Sequence, residues 1–94
     1  LPANANEVLV ASVGALELVP DTEFTAAAVQ DALAGALISP AEDGGLGLKP
    51  RIAYGPLRVA LSGRRVSPPL FESMELLGKS ESIRRLGALL DARG

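Results

Sequence analysis

Apolar residues recur along most of this chain at the three-and-four spacing of an amphipathic helix. Val8, Leu9, Ser12, Val13 and Leu16 form a first stripe, with Glu7 and Glu17 outside it, which predicts a helix from Asn4 to about Leu18. Asn4 or Asn6 can accept from the free N–H groups at its start, and Glu7 suits the positive end of its macrodipole. Pro20-Asp-Thr22 breaks the pattern. Asp21 to Thr25 offers caps for an alanine-rich second helix to about Leu37, burying Phe24, Ala28, Val29, Leu33, Ala36 and Leu37. Residues 39–47, dense in Gly, Pro and acids, read as a loop. Residues 38–49 are expected to form a mobile Gly-rich loop, with its Gly44-Gly45 pair the most mobile internal segment.

A third helix is expected from about Pro50, kinked or restarted at Gly55-Pro56, because Pro56 lacks an N–H and crowds the carbonyl four residues back. It continues through Leu57 to Ser62, and Gly63 ends it at positive φ. Ser67-Pro68 reads as a hydroxyl cap followed by proline at a helix start. The fourth helix, Pro69 to Leu77, carries Leu70, Phe71, Met74 and Leu77 on one side and stops at Gly78. Ser80 then caps a fifth helix burying Ile83, Leu86, Leu89 and Leu90. Val8-Leu-Val10 and Arg58-Val-Ala60 sit inside helical periodicities, so no strand is expected. The pattern gives an all-α bundle of about five helices in one domain over residues 1–94.

Composition narrows the chemistry. Cysteine and histidine are both absent, which removes thiol nucleophiles, disulfides, most zinc sites and the usual general base near neutral pH. There is no phosphate-cradling glycine loop with the required context and no Ser-His-Asp set. Gly44-Gly-Leu-Gly47 follows no strand and is a plain loop. The isolated chain is not expected to catalyse. No apolar run approaches the ~20 residues of a membrane span. The opening Leu-Pro-Ala-Asn has no basic region of a signal peptide and reads as the cut edge of a longer chain. The lack of cysteine is compatible with a reducing cytoplasm.

The net charge of −2 hides a division. Residues 1–47 hold seven acids and no Lys or Arg, whereas all nine basic residues fall in 48–94 beside four acids. Such a basic half suits a phosphate-bearing partner, since phosphate responds to the local field. The alternative is a dipolar fold whose halves attract each other. Arg58, Arg64 and Arg65 fall at the end of the third helix and in the turn after it, where guanidinium forks could hold phosphate or stack on an unpaired base. They could equally be solvated or paired with Glu72 and Glu75. Arg84 and Arg85 read as surface charges, with Glu81 available to one of them. With Phe24, Tyr54 and Phe71 the only aromatics, there is no stacking platform for unstructured strands.

Pro56-Leu-Arg-Val-Ala-Leu-Ser-Gly63, Ser67-Pro-Pro-Leu70, Leu76-Leu-Gly-Lys79 and Arg85-Leu86 together resemble the C-terminal anticodon-binding region of bacterial glutamyl-tRNA synthetases. Ser62 stands where that family more often has Thr. Phe24-Thr-Ala-Ala-Ala-Val-Gln-Asp-Ala-Leu33 and Gly47-Leu-Lys-Pro50 look like two further family elements, so the likeness spans about residues 20–91. The resemblance implies a helical cage, the last subdomain of a class I enzyme that joins glutamate to tRNA using ATP and magnesium. Those two would be bound by upstream domains, and no cofactor is expected in this chain. It also implies that Arg58, Ser67, Pro68 and Leu70 lie against anticodon bases. Arg64 and Arg65 fall in the family's variable turn and are added as phosphate contacts on charge alone. The expected partners are the tRNA anticodon loop and the upstream domains of the same synthetase, in a cytoplasmic monomer. The competing class is a protein–protein interaction domain using the Leu70, Phe71, Met74 side as an open groove.

Overall fold

A computed structural model describes residues 4–62 and 69–93 of the chain. Five helices follow in order: α1 (Ala5–Glu17), α2 (Ala26–Leu37), α3 (Pro50–Ser62), α4 (Leu70–Leu77) and α5 (Lys79–Arg93). Short 3-10 turns at Asp21–Glu23 and Ala41–Asp43 join the earlier ones. No strand occurs among the described residues, so the all-α expectation holds. None of the helices is long and apolar enough to cross a membrane.

One core collects the stripes of every helix. Val8, Leu9 and Leu16 of α1 meet Val29, Leu33 and Leu37 of α2, Ala53, Leu57 and Leu61 of α3, Leu70 and Met74 of α4, and Leu86 of α5. α1 packs most extensively on α5 and next on α2, while α4 lies against both α2 and α5. Phe24 is buried as expected; Ala28 and Ala36 pack around the core margin, as do Val13, Leu77, Ile83, Leu89 and Leu90. The apolar periodicity therefore located the core face of each helix.

The ends of the helices depart from expectation in instructive ways. Asn4 is the N-cap residue of α1 but makes no side-chain cap bond, and the Asn6 Oδ1 instead accepts from Arg93 Nε at 2.7 Å. The other end of the same pair is tied by Lys79, whose ammonium donates to the Glu17 carbonyl at 2.9 Å. A cation at a helix C-terminus meets the negative end of the macrodipole. α1 and α5 are thus clasped at both ends, antiparallel. Thr25 caps α2 as predicted, its Oγ1 accepting from Ala28 N at 3.2 Å. A second acceptor was not foreseen: Glu75 Oε1 of α4 takes the Ala26 N–H at 2.7 Å, fastening α4 to the start of α2.

α3 runs without a break through Pro56, which is fully buried. Of the expected kink or restart, the restart does not occur: the helix continues past Pro56, and Pro56 and Leu57 are both buried. Gly78 ends α4 at φ 85°, ψ 167°, a conformation that costs a side-chain-bearing residue and that glycine adopts freely. α5 then starts at Lys79, so Ser80 lies inside the helix rather than capping it. The serine that matters is Ser82, fully buried, whose hydroxyl donates to the Met74 carbonyl at 3.2 Å and locks the α4–α5 corner.

The 39–47 loop has a defined hydrogen-bonded path. Gly45 N donates to Pro40 O at 3.1 Å, Gly47 N to Ser39 O at 2.8 Å and Leu48 N to Leu37 O at 2.9 Å.

Candidate nucleic-acid interface

Arg58 and Leu70 are the two sequence-chosen residues that fall within the described structure; Arg64, Arg65, Ser67 and Pro68 lie outside it, as does the expected terminator Gly63. Arg58 stands on α3, one turn after Tyr54. The Tyr54 ring meets the Phe71 ring edge-on, centroids 5.2 Å apart at 87°, within the usual range for a favourable aromatic pair. That contact brings the Arg58 segment of α3 alongside the start of α4, where Leu70 precedes Phe71. Burial pushes the Tyr54 phenol up, opposed by the nearby Arg58 cation. Arg58 itself is half-buried and engaged within the fold rather than waving in solvent. Glu75, one of its suggested partners, is instead committed to α2.

Leu70 is 2% exposed, so its side chain belongs to the core. It opens the first turn of α4, where the exposed Pro69 takes the N-cap position at ψ 126° and supplies no side-chain oxygen. The helix starts one residue later than expected. Pro69 has an extended backbone, and the first N–H groups of a helix have no intrahelical acceptor. The same burial settles the competing groove: Leu70 and Met74 are closed off and Phe71 packs on the core, so that stripe is not an open partner surface.

A third basic element was undervalued by the sequence reading. Glu81 serves both Arg84 and Arg85 rather than one of them. Its carboxylate accepts from Arg84 Nε at 2.8 Å and Nη2 at 2.7 Å, a bidentate fork, and from Arg85 Nε at 2.7 Å. Arg85 Nη1 also reaches across to the Leu61 carbonyl of α3 at 2.7 Å. The spacing of 81, 84 and 85 allowed both contacts, but the cross-helix bond had no sequence signal. The Arg84 and Arg85 hydrogen bonds hold the Glu81 carboxyl well below the usual range, at about 2. A depressed carboxylate keeps its ion pairs at all pH values above its folded pKa and loses them only as pH falls through it. Following the Glu81 side-chain carboxyl carbon by NMR should accordingly show a midpoint near 2; a midpoint near 4.5, the ordinary value, would mean that the forks do not persist in solution.

These contacts also decide how charge is arranged. The Glu81 ion pairs with Arg84 and Arg85 lie wholly within the basic half. Where Lys79 and Arg93 touch the acidic half they meet a backbone carbonyl and an amide oxygen, not carboxylates. At these residues the opposite charges of the two halves do not pair directly. Among the described residues, no group of three or more His, Cys, Asp or Glu side chains is placed to hold a metal ion.

Residues 1–90 match the family model described as an anticodon binding domain. The chain is 61% identical, over all 94 residues, to the glutamate–tRNA ligase of Leifsonia xyli subsp. xyli, and 55% identical over the same length to that of Clavibacter sepedonicus. A third such ligase, from Acidothermus cellulolyticus, is 50% identical across the whole chain. In each comparison the chain spans 18% of the length of the relative.

Proposed function

The chain belongs to the anticodon binding domain family, and from that premise we propose that it is the tRNA-docking module of a glutamate–tRNA ligase. The observation that carries this reading is end-to-end similarity to glutamate–tRNA ligases, at 50–61% identity in the three compared. The module binds the anticodon loop with its bases splayed from their stack. Arg58, Arg64 and Arg65 supply guanidinium groups for phosphate and base edges. The backbone at the start of α4, together with Ser67, Pro68 and Leu70, lies against the anticodon bases. Because Leu70 is almost wholly buried, its part in that contact is to anchor the start of α4 beneath the bases.

Docking here fixes the far acceptor end of the tRNA at an active site elsewhere in the protein, by placement rather than by chemistry. ATP and magnesium are bound there, by domains outside this chain. The complete enzyme works in the cytoplasm as a monomer.

Arg58→Ala in the full-length enzyme tests the assignment. Hydrogen bonds to a charged group contribute about 1.5–3 kcal/mol, so kcat/KM for charging should fall roughly ten- to a hundredfold. Discrimination against anticodon-substituted tRNA should fall with it. Arg58 is half-buried, so thermal melting of the variant is measured alongside. A folded variant with unchanged charging efficiency and unchanged anticodon discrimination overturns the role of Arg58.

A further inference from the structure

The recess between α3 and α5 has about 410 Å³ of space and is lined by Ala60, Leu61, Arg84, Arg85, Ala88 and Leu89. We propose that Arg84 and Arg85, oriented by Glu81, make it a second RNA-contact point that holds a backbone phosphate of the bound tRNA. The proposal rests on the docking reading above and extends it to residues that neither the comparisons nor that reading assigns.

Three features carry it. First, the guanidinium groups are already immobilised. Glu81 takes Nε and Nη2 of Arg84 and Nε of Arg85, while Leu61 O takes Nη1 of Arg85. Long side chains ordered before the ligand arrives lose less entropy on binding it. Second, donors are left over: Nη1 of Arg84 and Nη2 of Arg85 have no hydrogen-bond partner among the described residues. One carboxylate against two guanidinium groups leaves a net positive charge at the mouth of the recess. Guanidinium groups suit phosphate oxygens in charge and geometry.

Third, the fold needs only part of this arrangement. Arg85 pins the end of α3 through Leu61, but Arg84 reaches nothing beyond Glu81 on its own helix, and its side chain is 66% exposed. An exposed pair of that kind adds little to stability, so maintaining the fold does not account for Arg84. The place is also right. Leu61 follows Arg58 by three residues, so the two share a face of α3. The recess therefore extends the Arg58 surface toward α5. Ala60 and Ala88 leave its floor shallow, and Leu61 and Leu89 offer apolar wall to the sugar beside a held phosphate.

Arg84→Gln and Arg84→Lys separate charge from structure, since both lose the fork to Glu81 while only the lysine keeps the positive charge. Affinity of the full-length protein for a tRNA transcript is measured across a range of salt. Arg84→Gln should weaken binding roughly three- to tenfold at low salt. It should also flatten the slope of log affinity against log salt by about 0.7–0.9, the value of one phosphate contact. Arg84→Lys should keep the wild-type slope. A Gln variant with the wild-type slope, or a Lys variant as flat as the Gln one, overturns the phosphate site alone. Absence of any wild-type affinity for tRNA would instead remove the docking reading, and this site with it.

Discussion

Leu86→Ala should lower the unfolding free energy by about 2–5 kcal/mol, the usual cost of a large-to-small change in a packed core. Leu86 is fully buried on α5, the helix that packs against α1, α3 and α4 alike. Removing the methine carbon and both methyl groups there leaves a void in the shared core, which the surrounding helices cannot fill without giving up other contacts. For a domain near this size each kcal/mol shifts the melting temperature by about 4–8 °C, so the midpoint should drop by at least about 8 °C. Small domains hold only about 5–15 kcal/mol in total, which puts this single change within reach of unfolding the chain. Leu76→Ala is the control. Leu76 is 89% exposed, and its loss should stay within about 0.5 kcal/mol. Thermal and urea melts followed by circular dichroism decide it; equal shifts for the two leucines would contradict the assigned core.

Gly45→Ala should be nearly as damaging, for a different reason. A Cβ at position 45 would lie 2.7 Å from the Ser39 carbonyl carbon and 2.9 Å from Ser39 Cβ, and closer still to the carbonyl oxygen. Those neighbours are mainly backbone, so no side-chain rotation relieves the collision. The same carbonyl already accepts from Gly47 N, and Gly45 N is bound to Pro40 O, so opening the loop sacrifices hydrogen bonds as well. Overpacking of this kind costs about 1–3 kcal/mol. Gly35→Ala provides the comparison, because a Cβ there meets nothing within 4 Å and an alanine inside a helix is favoured. A Gly45→Ala protein as stable as wild type would mean that the loop does not take the described path.

How much of this could be read from the chain follows the range of the interactions involved. Helix faces were legible because burial repeats every three to four residues, and Val29, Leu33 and Leu37 declare themselves without reference to any other helix. Stops such as Gly78 were legible for the same local reason. Starts were less so. Ser80 and Asn6 have the chemistry of caps, yet whether they cap depends on what else arrives: Arg93 claims Asn6, and α5 begins before Ser80. Glu75 at the head of α2 joins residues 49 apart, and Arg85 on Leu61 joins residues 24 apart. Neither leaves a trace in spacing. At the interface, Arg58 could be picked out on charge and resemblance, but its half-buried setting beside Tyr54 and Phe71 needed the fold. The side chain of Leu70 shows the reverse difficulty, since a residue of the matched motif turned out to face inward.

The clasp between α1 and α5 bears on how the molecule acquires its shape. The stripe of α1 finds its largest partner in a helix some seventy residues later, so the contacts that complete it close a long loop and pay the entropy for doing so. Part of the α1 stripe can pack on α2 as soon as that helix is made, whereas the part that faces α5 must wait for Lys79 through Arg93. The packing of α1 is therefore completed only at the far end of the domain, and a chain cut before α5 would leave the α5-facing part of that apolar stripe bare.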